Sequence, residues 1–109
     1  MVKYVALYRT PPDPDEFDRR YFGEHVPLVN ATPGLLSAEV AKVSRVYVPG
    51  FLDGTQPYLI AELYFESAAA MKEAFRSPEW KAAGANLTEI GGMELVTMFA
   101  TDDVDGVAD

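Results

Sequence analysis

The residues best suited to chemistry in this chain are His25 and Tyr21, which stand four positions apart in the stretch from Asp13 to Pro27. His25 is the only histidine, and an imidazole changes charge near neutral pH, so it could serve as a general acid or base. Tyr21 lies one helical turn earlier, so its hydroxyl could donate a hydrogen bond to the same ligand. The pair therefore predicts proton-transfer chemistry, with His25 as the acid/base and Tyr21 as the group that orients the ligand.

Both side chains also have a structural interpretation that the sequence leaves open. His25 could be a buried histidine bonded to a backbone carbonyl, to Asp18, to Glu62 or to a tyrosine. The hydroxyl of a buried tyrosine usually finds a backbone partner. Glu62 is the first candidate for a carboxylate that orients the imidazole, because a carboxylate in the middle of a strand needs a reason. The alternative is that Glu62 faces water or pairs with an arginine across a subunit interface.

A helix that begins at Pro14 must position these residues. Asp13 can cap it, and Glu16 sits where a capping-box carboxylate reaches back to the cap. With successive residues about 100° apart, the apolar side chains and His25 share one half of the helix, which predicts that the imidazole avoids solvent. Pro27 lacks the amide that would bond the carbonyl four residues earlier, so the helix should kink or loosen beside His25.

Periodicity and turn residues predict the other elements. The expected strands are Val2–Arg9, Leu35–Val48, Tyr58–Phe65 and Met93–Thr101, the first helix runs to about Asn30, and Ser67 and Ser77 cap two further helices. The order is that of an α+β fold, the ferredoxin-like βαββαβ sandwich, with a four-stranded antiparallel sheet and helices on one face. The other face is too apolar for water, so we expect a homodimer whose sheet faces meet.

Two segments outside these elements carry predictions of their own. The loop 49–57 contains the apolar Phe51 and Leu52, which indicate a small apolar cluster, a cavity lid or a subunit contact. The tail 102–109 holds four acidic residues and no basic one, which predicts a solvated, mobile end after a single domain over residues 1–101.

Composition excludes several kinds of protein. The formal net charge is −8 and the nine basic residues are scattered, which argues against a nucleic-acid surface. With no cysteine and one histidine, the chain cannot build a thiolate site or a multi-histidine zinc site by itself, and no phosphate-binding loop occurs, so we expect no metal and no cofactor. The absence of a signal-peptide layout and of a membrane-length apolar run predicts a cytoplasmic protein with no membrane partner.

Four further aromatic residues could line a pocket that accepts an aromatic ligand, although aromatic side chains at such spacings belong to the core in most proteins. They are Phe17, Tyr8, Tyr64 and Trp80.

The string F-x-x-x-Y-x-x-x-H-x-P-L from Phe17 to Leu28, after a first strand that ends in Leu7-Tyr8, resembles the EthD family of dimeric α+β barrel proteins. The resemblance extends over nearly the whole chain to about Ala100. It implies a compact homodimer with a cavity between helices and sheet in each subunit. The family and its relatives include polyketide cyclases, decarboxylases, lactone isomerases and cofactor-free oxygenases. The histidine and tyrosine of the motif correspond to His25 and Tyr21.

Three functions are compatible with these observations. The first is a small-molecule enzyme without a bound cofactor that performs cyclisation, decarboxylation or isomerisation on a hydrophobic, aromatic substrate. The second is a non-catalytic protein that binds a hydrophobic metabolite, or an accessory protein of catabolism. The third is a haem-handling relative with His25 as the axial ligand.

Overall fold

Four strands form one antiparallel sheet in the computed structural model, which describes residues 1–50 and 55–102. They are β1 (Val2–Arg9), β2 (Ser37–Lys42), β3 (Pro57–Phe65) and β4 (Val96–Ala100). Their spatial order is β2-β3-β1-β4, and β1 pairs antiparallel with both β3 and β4. The predicted α+β, ferredoxin-like fold is confirmed. Phe51, Leu52 and residues 103–109 of the acidic tail lie outside the described residues.

The helical layer covers one face of this sheet. It consists of α1 (Pro14–Arg20), a π-helical segment (Tyr21–His25), α2 (Val26–Asn30), α3 (Ala68–Ala74), α4 (Pro78–Glu89) and a 3-10 turn (Gly92–Glu94). In the part of the chain that the structure describes, no helix combines the length and the apolar character needed to cross a membrane.

Local capping signals in the sequence predicted where the helices begin. The side chains of Asp13, Ser67 and Ser77 each accept a hydrogen bond from the backbone N–H three residues later, so all three predicted caps are confirmed. The predicted capping box is wrong in one respect. The carboxylate of Glu16 accepts two hydrogen bonds from Arg19, at 2.8 and 2.7 Å, instead of turning back to the cap. A charged partner on the next turn competes successfully for an exposed carboxylate.

Two strands are shorter than their sequence patterns predicted. The run from Leu35 to Val48 forms regular strand only over β2, because β3 is its single neighbour and the chain leaves the sheet after Val43 donates to the Tyr58 carbonyl at 2.7 Å. The last strand begins at Val96, because the 3-10 turn occupies the residues before it. Strand propensity does not form a strand where no neighbour supplies backbone partners.

Strand register divides the sheet residues between two different faces. The pairs Ala6–Ala61 and Tyr8–Leu59 face the helices and belong to the core. The opposite face, called the open face below, carries the apolar side chains Val5, Leu7, Ile60 and Phe99 from three neighbouring strands. Lys3 and Glu62 form an ion pair on the same face, at 3.1 Å.

Candidate active site

A cavity of about 160 Å³ lies between the sheet and the helical layer. Its floor comes from alternate residues of the strands and its roof from α2, α4 and the π-helical segment. Among the residues that line it, Asn30 and Met93 are also exposed at the protein surface, so the cavity opens beside them. Most of the lining is apolar, including Ala6, Val29, Val40, Ala61, Leu63 and Leu87.

The π-helical segment carries both residues that the sequence singled out. The N–H of Val26 donates to the carbonyl of Tyr21, five residues earlier, which is the hydrogen bond that defines a π turn. The wider turn places Tyr21 and His25 together in the cavity wall. The segment ends two residues before Pro27, so the predicted loosening of the helix beside His25 is confirmed.

Tyr21 is held by other aromatic rings. Its ring stacks on Phe17 with centroids 5.3 Å apart, meets Tyr8 edge-on at 5.2 Å, and lies 5.1 Å from the ring of His25. Burial raises the pKa of Tyr21 to about 12, although the Tyr8 hydroxyl opposes the shift. Burial also raises the pKa of Tyr8, and its interaction with Tyr21 adds to this shift. Both phenols therefore remain protonated at neutral pH, and the hydrogen bond between them leaves one hydroxyl hydrogen to donate into the cavity.

The imidazole of His25 is almost completely buried, with 5% of the residue exposed. Burial lowers its pKa, and the Asn86 side chain and the Ala83 carbonyl only partly oppose that shift. His25 is consequently neutral at pH 7, the state in which one ring nitrogen can accept a proton. Its Nδ1 is shielded from solvent and makes no hydrogen bond to any residue that the structure describes.

A chain of polar side chains leads from His25 to the protein surface. Asn86 Nδ2 donates to Glu24 Oε1 at 3.1 Å, Arg20 donates twice to the same carboxylate at 3.2 Å, and Arg20 also pairs with Glu89 at 2.8 Å. Sequence reasoning missed Asn86. Its position one turn after Ala83 on α4 indicates the buried side of that helix, but the sequence does not show which element α4 packs against.

The other predicted site residues are divided between the two faces of the sheet. Tyr8 and Trp80 line the cavity, and Phe17 lies behind the wall against Tyr8 and Tyr21. Tyr64 is on the open face, where its hydroxyl donates to Glu39 at 3.1 Å. Glu62 pairs with Lys3 on that face, so it does not orient His25. In the described ranges, no three His, Asp or Glu side chains converge as metal ligands.

Comparison with known proteins identifies relatives that match almost the full length of the chain. The model of the EthD domain matches residues 9–88. An uncharacterized 11.0 kDa protein from the thcB-thcC intergenic region of Rhodococcus erythropolis is 38% identical over 107 residues, which cover 94% of this chain and 95% of that protein. The crystal structure of an EthD family protein from Bacillus halodurans is 30% identical and superposes with a TM-score of 0.83, over 95% of this chain and 99% of that chain.

A more distant structure shares the fold. The hydroxynitrile lyase from Passiflora edulis superposes with a TM-score of 0.67 over 98% of this chain and 96% of its own, at 17% identity. At this level of sequence identity, the similarity shows a shared fold only. The family-model match and the two nearer relatives show that this chain belongs to the EthD family.

Proposed function

We propose that this protein is a small-molecule enzyme that uses no bound cofactor and performs proton-transfer chemistry on a hydrophobic, aromatic substrate. The observation that carries the proposal is the buried, neutral imidazole of His25 beside the Tyr21 hydroxyl, in the wall of an otherwise apolar cavity. In this proposal His25 accepts a proton from the substrate. Tyr21 donates a hydrogen bond to the oxygen on which negative charge develops.

The size and lining of the cavity support an aromatic substrate. An apolar protein cavity of about 150 Å³ accommodates benzene, and the cavity here measures about 160 Å³. Its walls include the rings of Tyr4, Tyr8 and Trp80, which suit edge-on or stacked contact with a flat ligand. A single substituted ring would fill the space, and a larger substrate would extend through the opening beside Asn30 and Met93.

The chemistry that such a site supports is cyclisation, decarboxylation or isomerisation. Each of these reactions needs a proton to be removed or returned next to a carbonyl, and a low-polarity cavity strengthens the hydrogen bonds that stabilise the resulting anion. The lyase from Passiflora edulis offers a precedent for enzymatic bond cleavage on this fold, although the likeness does not extend to a shared substrate.

One observation favours a second function, the sequestering of a hydrophobic metabolite without turnover. The group beside His25 on α4 is the neutral amide of Asn86, and not a carboxylate. Histidine bases are commonly paired with a carboxylate that stabilises the imidazolium, so a ring that contacts an amide is a weaker base. Turnover measurements on a ligand that binds distinguish the two functions.

Ligand binding should be visible through Trp80, the only tryptophan of the chain, which lines the cavity. Titration with a panel of singly substituted phenols and aryl ketones should change its emission in a saturable way, because the ligand displaces solvent from the indole and stacks nearby. Ligands that saturate the signal are then tested for conversion. Cyclohexanols and cyclohexyl ketones of similar size serve as matched non-aromatic controls. If no single-ring compound produces a saturable change, the proposed substrate class is wrong.

We also propose that the protein is a homodimer joined through its open sheet faces. Phe99 is 46% exposed in the single chain, and the half-buried Leu7 and Ile60 share its face. Val5 lies on the same face but is already buried. Apolar side chains exposed together on one sheet face are typical of a surface that has a partner in solution. The charged pair of Lys3 and Glu62 would lie within or at the rim of the interface.

A matched pair of variants tests the dimer. Phe99→Asp should convert the protein to a monomer at micromolar concentration, because it buries a carboxylate in the proposed interface. Phe22→Asp introduces the same change at a similarly exposed phenylalanine, 42% exposed, in the helical layer, and should leave the dimer intact. Size-exclusion chromatography with light scattering gives the mass. A wild-type monomer at that concentration contradicts the proposal.

A further inference from the structure

Helix α4 presents hydrogen-bond acceptors to the imidazole of His25. The side chain of Asn86 and the main-chain carbonyl of Ala83 both interact with the ring. A carbonyl oxygen has no hydrogen to donate. The Ala83 carbonyl can only accept from the ring, whereas the Asn86 amide can accept through its oxygen or donate through its nitrogen. The role of Asn86 toward the ring therefore depends on how its amide is turned.

The carboxylate of Glu24 determines that orientation. Asn86 Nδ2 lies 3.1 Å from Glu24 Oε1. The hydrogen bond from Arg20, followed by that from Asn86, lowers the pKa of Glu24, so this carboxylate is ionised at neutral pH and can only accept hydrogen bonds. The nitrogen of the amide must then face Glu24. Asn86 Oδ1 is left to face away from the carboxylate.

Two buried atoms remain without a partner at this point. Asn86 Oδ1 and His25 Nδ1 are both shielded from solvent, and neither makes a hydrogen bond to a residue within the described ranges. If Nδ1 carried a lone pair, two acceptors would be buried unpaired in side chains that interact, which is strongly unfavourable. With a hydrogen on Nδ1, the ring could donate to Asn86 Oδ1, and this one hydrogen bond would satisfy both atoms.

We propose that Asn86 is a positioning residue that keeps the hydrogen of neutral His25 on Nδ1, and thereby leaves Nε2 as the proton acceptor in the cavity. The use of Nε2 rests on the proposed function, whereas the position of the hydrogen does not. Arg20 and Glu24 act through Asn86, because they hold its amide in one orientation. A polar chain that begins at the protein surface thus sets the tautomer of a buried ring.

Nuclear magnetic resonance can read this tautomer directly, since the chain has a single histidine. A long-range ¹H–¹⁵N correlation spectrum of the full ¹⁵N-labelled chain, recorded above pH 7, distinguishes a protonated from an unprotonated nitrogen at each ring position. The wild type should show hydrogen on Nδ1. Asn86→Ala should shift the population toward hydrogen on Nε2 by about fivefold or more, because the acceptor that favours Nδ1–H is lost.

Two variants at the surface end of the polar chain provide a test that does not depend on whether Asn86→Ala folds. Glu24→Gln replaces an obligatory acceptor by an amide that can also donate, so Asn86 can turn over and the tautomers should mix. Glu89→Gln changes the other carboxylate on Arg20, which makes no hydrogen bond to Asn86 among the described residues, and should leave the spectrum as in the wild type.

Hydrogen on Nε2 in the wild type overturns the inference, and so does an unchanged tautomer in folded Asn86→Ala or in Glu24→Gln. The spectra need no ligand, so they can contradict this inference while the proposed function stands. Conversely, failure of every aromatic ligand to bind would contradict the proposed function without altering the tautomer result.

Discussion

Replacement of His25 by alanine should lower kcat/KM about 10²- to 10⁴-fold on a verified substrate, the range expected when a general base is removed. The ring is the only imidazole in the chain. It lines the cavity together with Tyr21 and Tyr8, whose raised pKa values make the two phenols poor bases at neutral pH. No cavity-lining carboxylate replaces the lost base among the described residues. Steady-state kinetics over a range of substrate concentrations separates the loss in kcat from any change in KM.

His25→Gln is the matched control for packing, because it retains a polar side chain in the wall but removes the base. Both variants should lose activity to a similar degree, while thermal unfolding shows whether alanine alone destabilises the fold by leaving a void. Tyr21→Phe keeps the stacked ring, removes only the hydroxyl, and should cost less than either variant. A change below threefold in kcat/KM for folded His25→Gln would reject the catalytic role.

The pH profile provides a second test of the same role. Burial lowers the pKa of His25 from 6.5, and a general base acts in its deprotonated form, which is populated above its pKa. The kcat/KM of the wild type should therefore be flat around neutral pH and fall as the pH drops below the lowered pKa. A general acid would give the opposite slope. Activity that rises on acidification through this range would contradict a base role for His25.

Local signals in the sequence were sufficient for much of the fold. Asp13, Ser67 and Ser77 each cap a helix through a backbone N–H three residues away, and such an interaction depends on a few adjacent residues only. The loosening beside His25 was equally local, since it follows from a proline that cannot donate. The alternation of side chains along β3 predicted that Leu59 and Tyr64 lie on opposite faces of the sheet. The pairing of β3 with β1 agrees with this prediction.

The remaining features depend on contacts between distant parts of the chain. The length of β2 is set by how far it pairs with β3, so the sequence pattern of Leu35–Val48 overestimated it. Asn86 and Glu24 are 62 positions apart in the sequence, and they meet only because α4 packs over the π-helical segment. Asp18 was one possible partner of His25 in the sequence, yet its carboxylate accepts from Tyr58 at 2.7 Å and from Lys42 at 2.6 Å. These partners come from two strands, so residue spacing could not reveal them.

Replacement of Gly84 by leucine should strongly weaken ligand binding without unfolding the protein. Gly84 lies inside α4 and lines the cavity, and a Cβ added there would meet no atom within 4 Å. The new side chain begins in open space on the cavity wall and competes with the ligand for the same volume. Binding followed through Trp80 should weaken by about 30-fold or more, an amount that corresponds to about 2 kcal/mol of lost contact and steric conflict.

A substitution at Gly84 should stabilise the fold while a large side chain weakens binding. A stability measurement therefore distinguishes a blocked cavity from a damaged fold. Gly84→Ala should stabilise the protein by up to about 1 kcal/mol, because glycine in a helix interior costs that much relative to alanine. Gly23→Leu is the control for the leucine variant. A Cβ at Gly23 also meets nothing within 4 Å, but Gly23 is exposed and lies outside the cavity lining. Its binding curve should match the wild type. Equal affinity in Gly84→Leu and Gly23→Leu would show that the ligand binds elsewhere, and the assignment of His25 and Tyr21 to the active site would then fail with it.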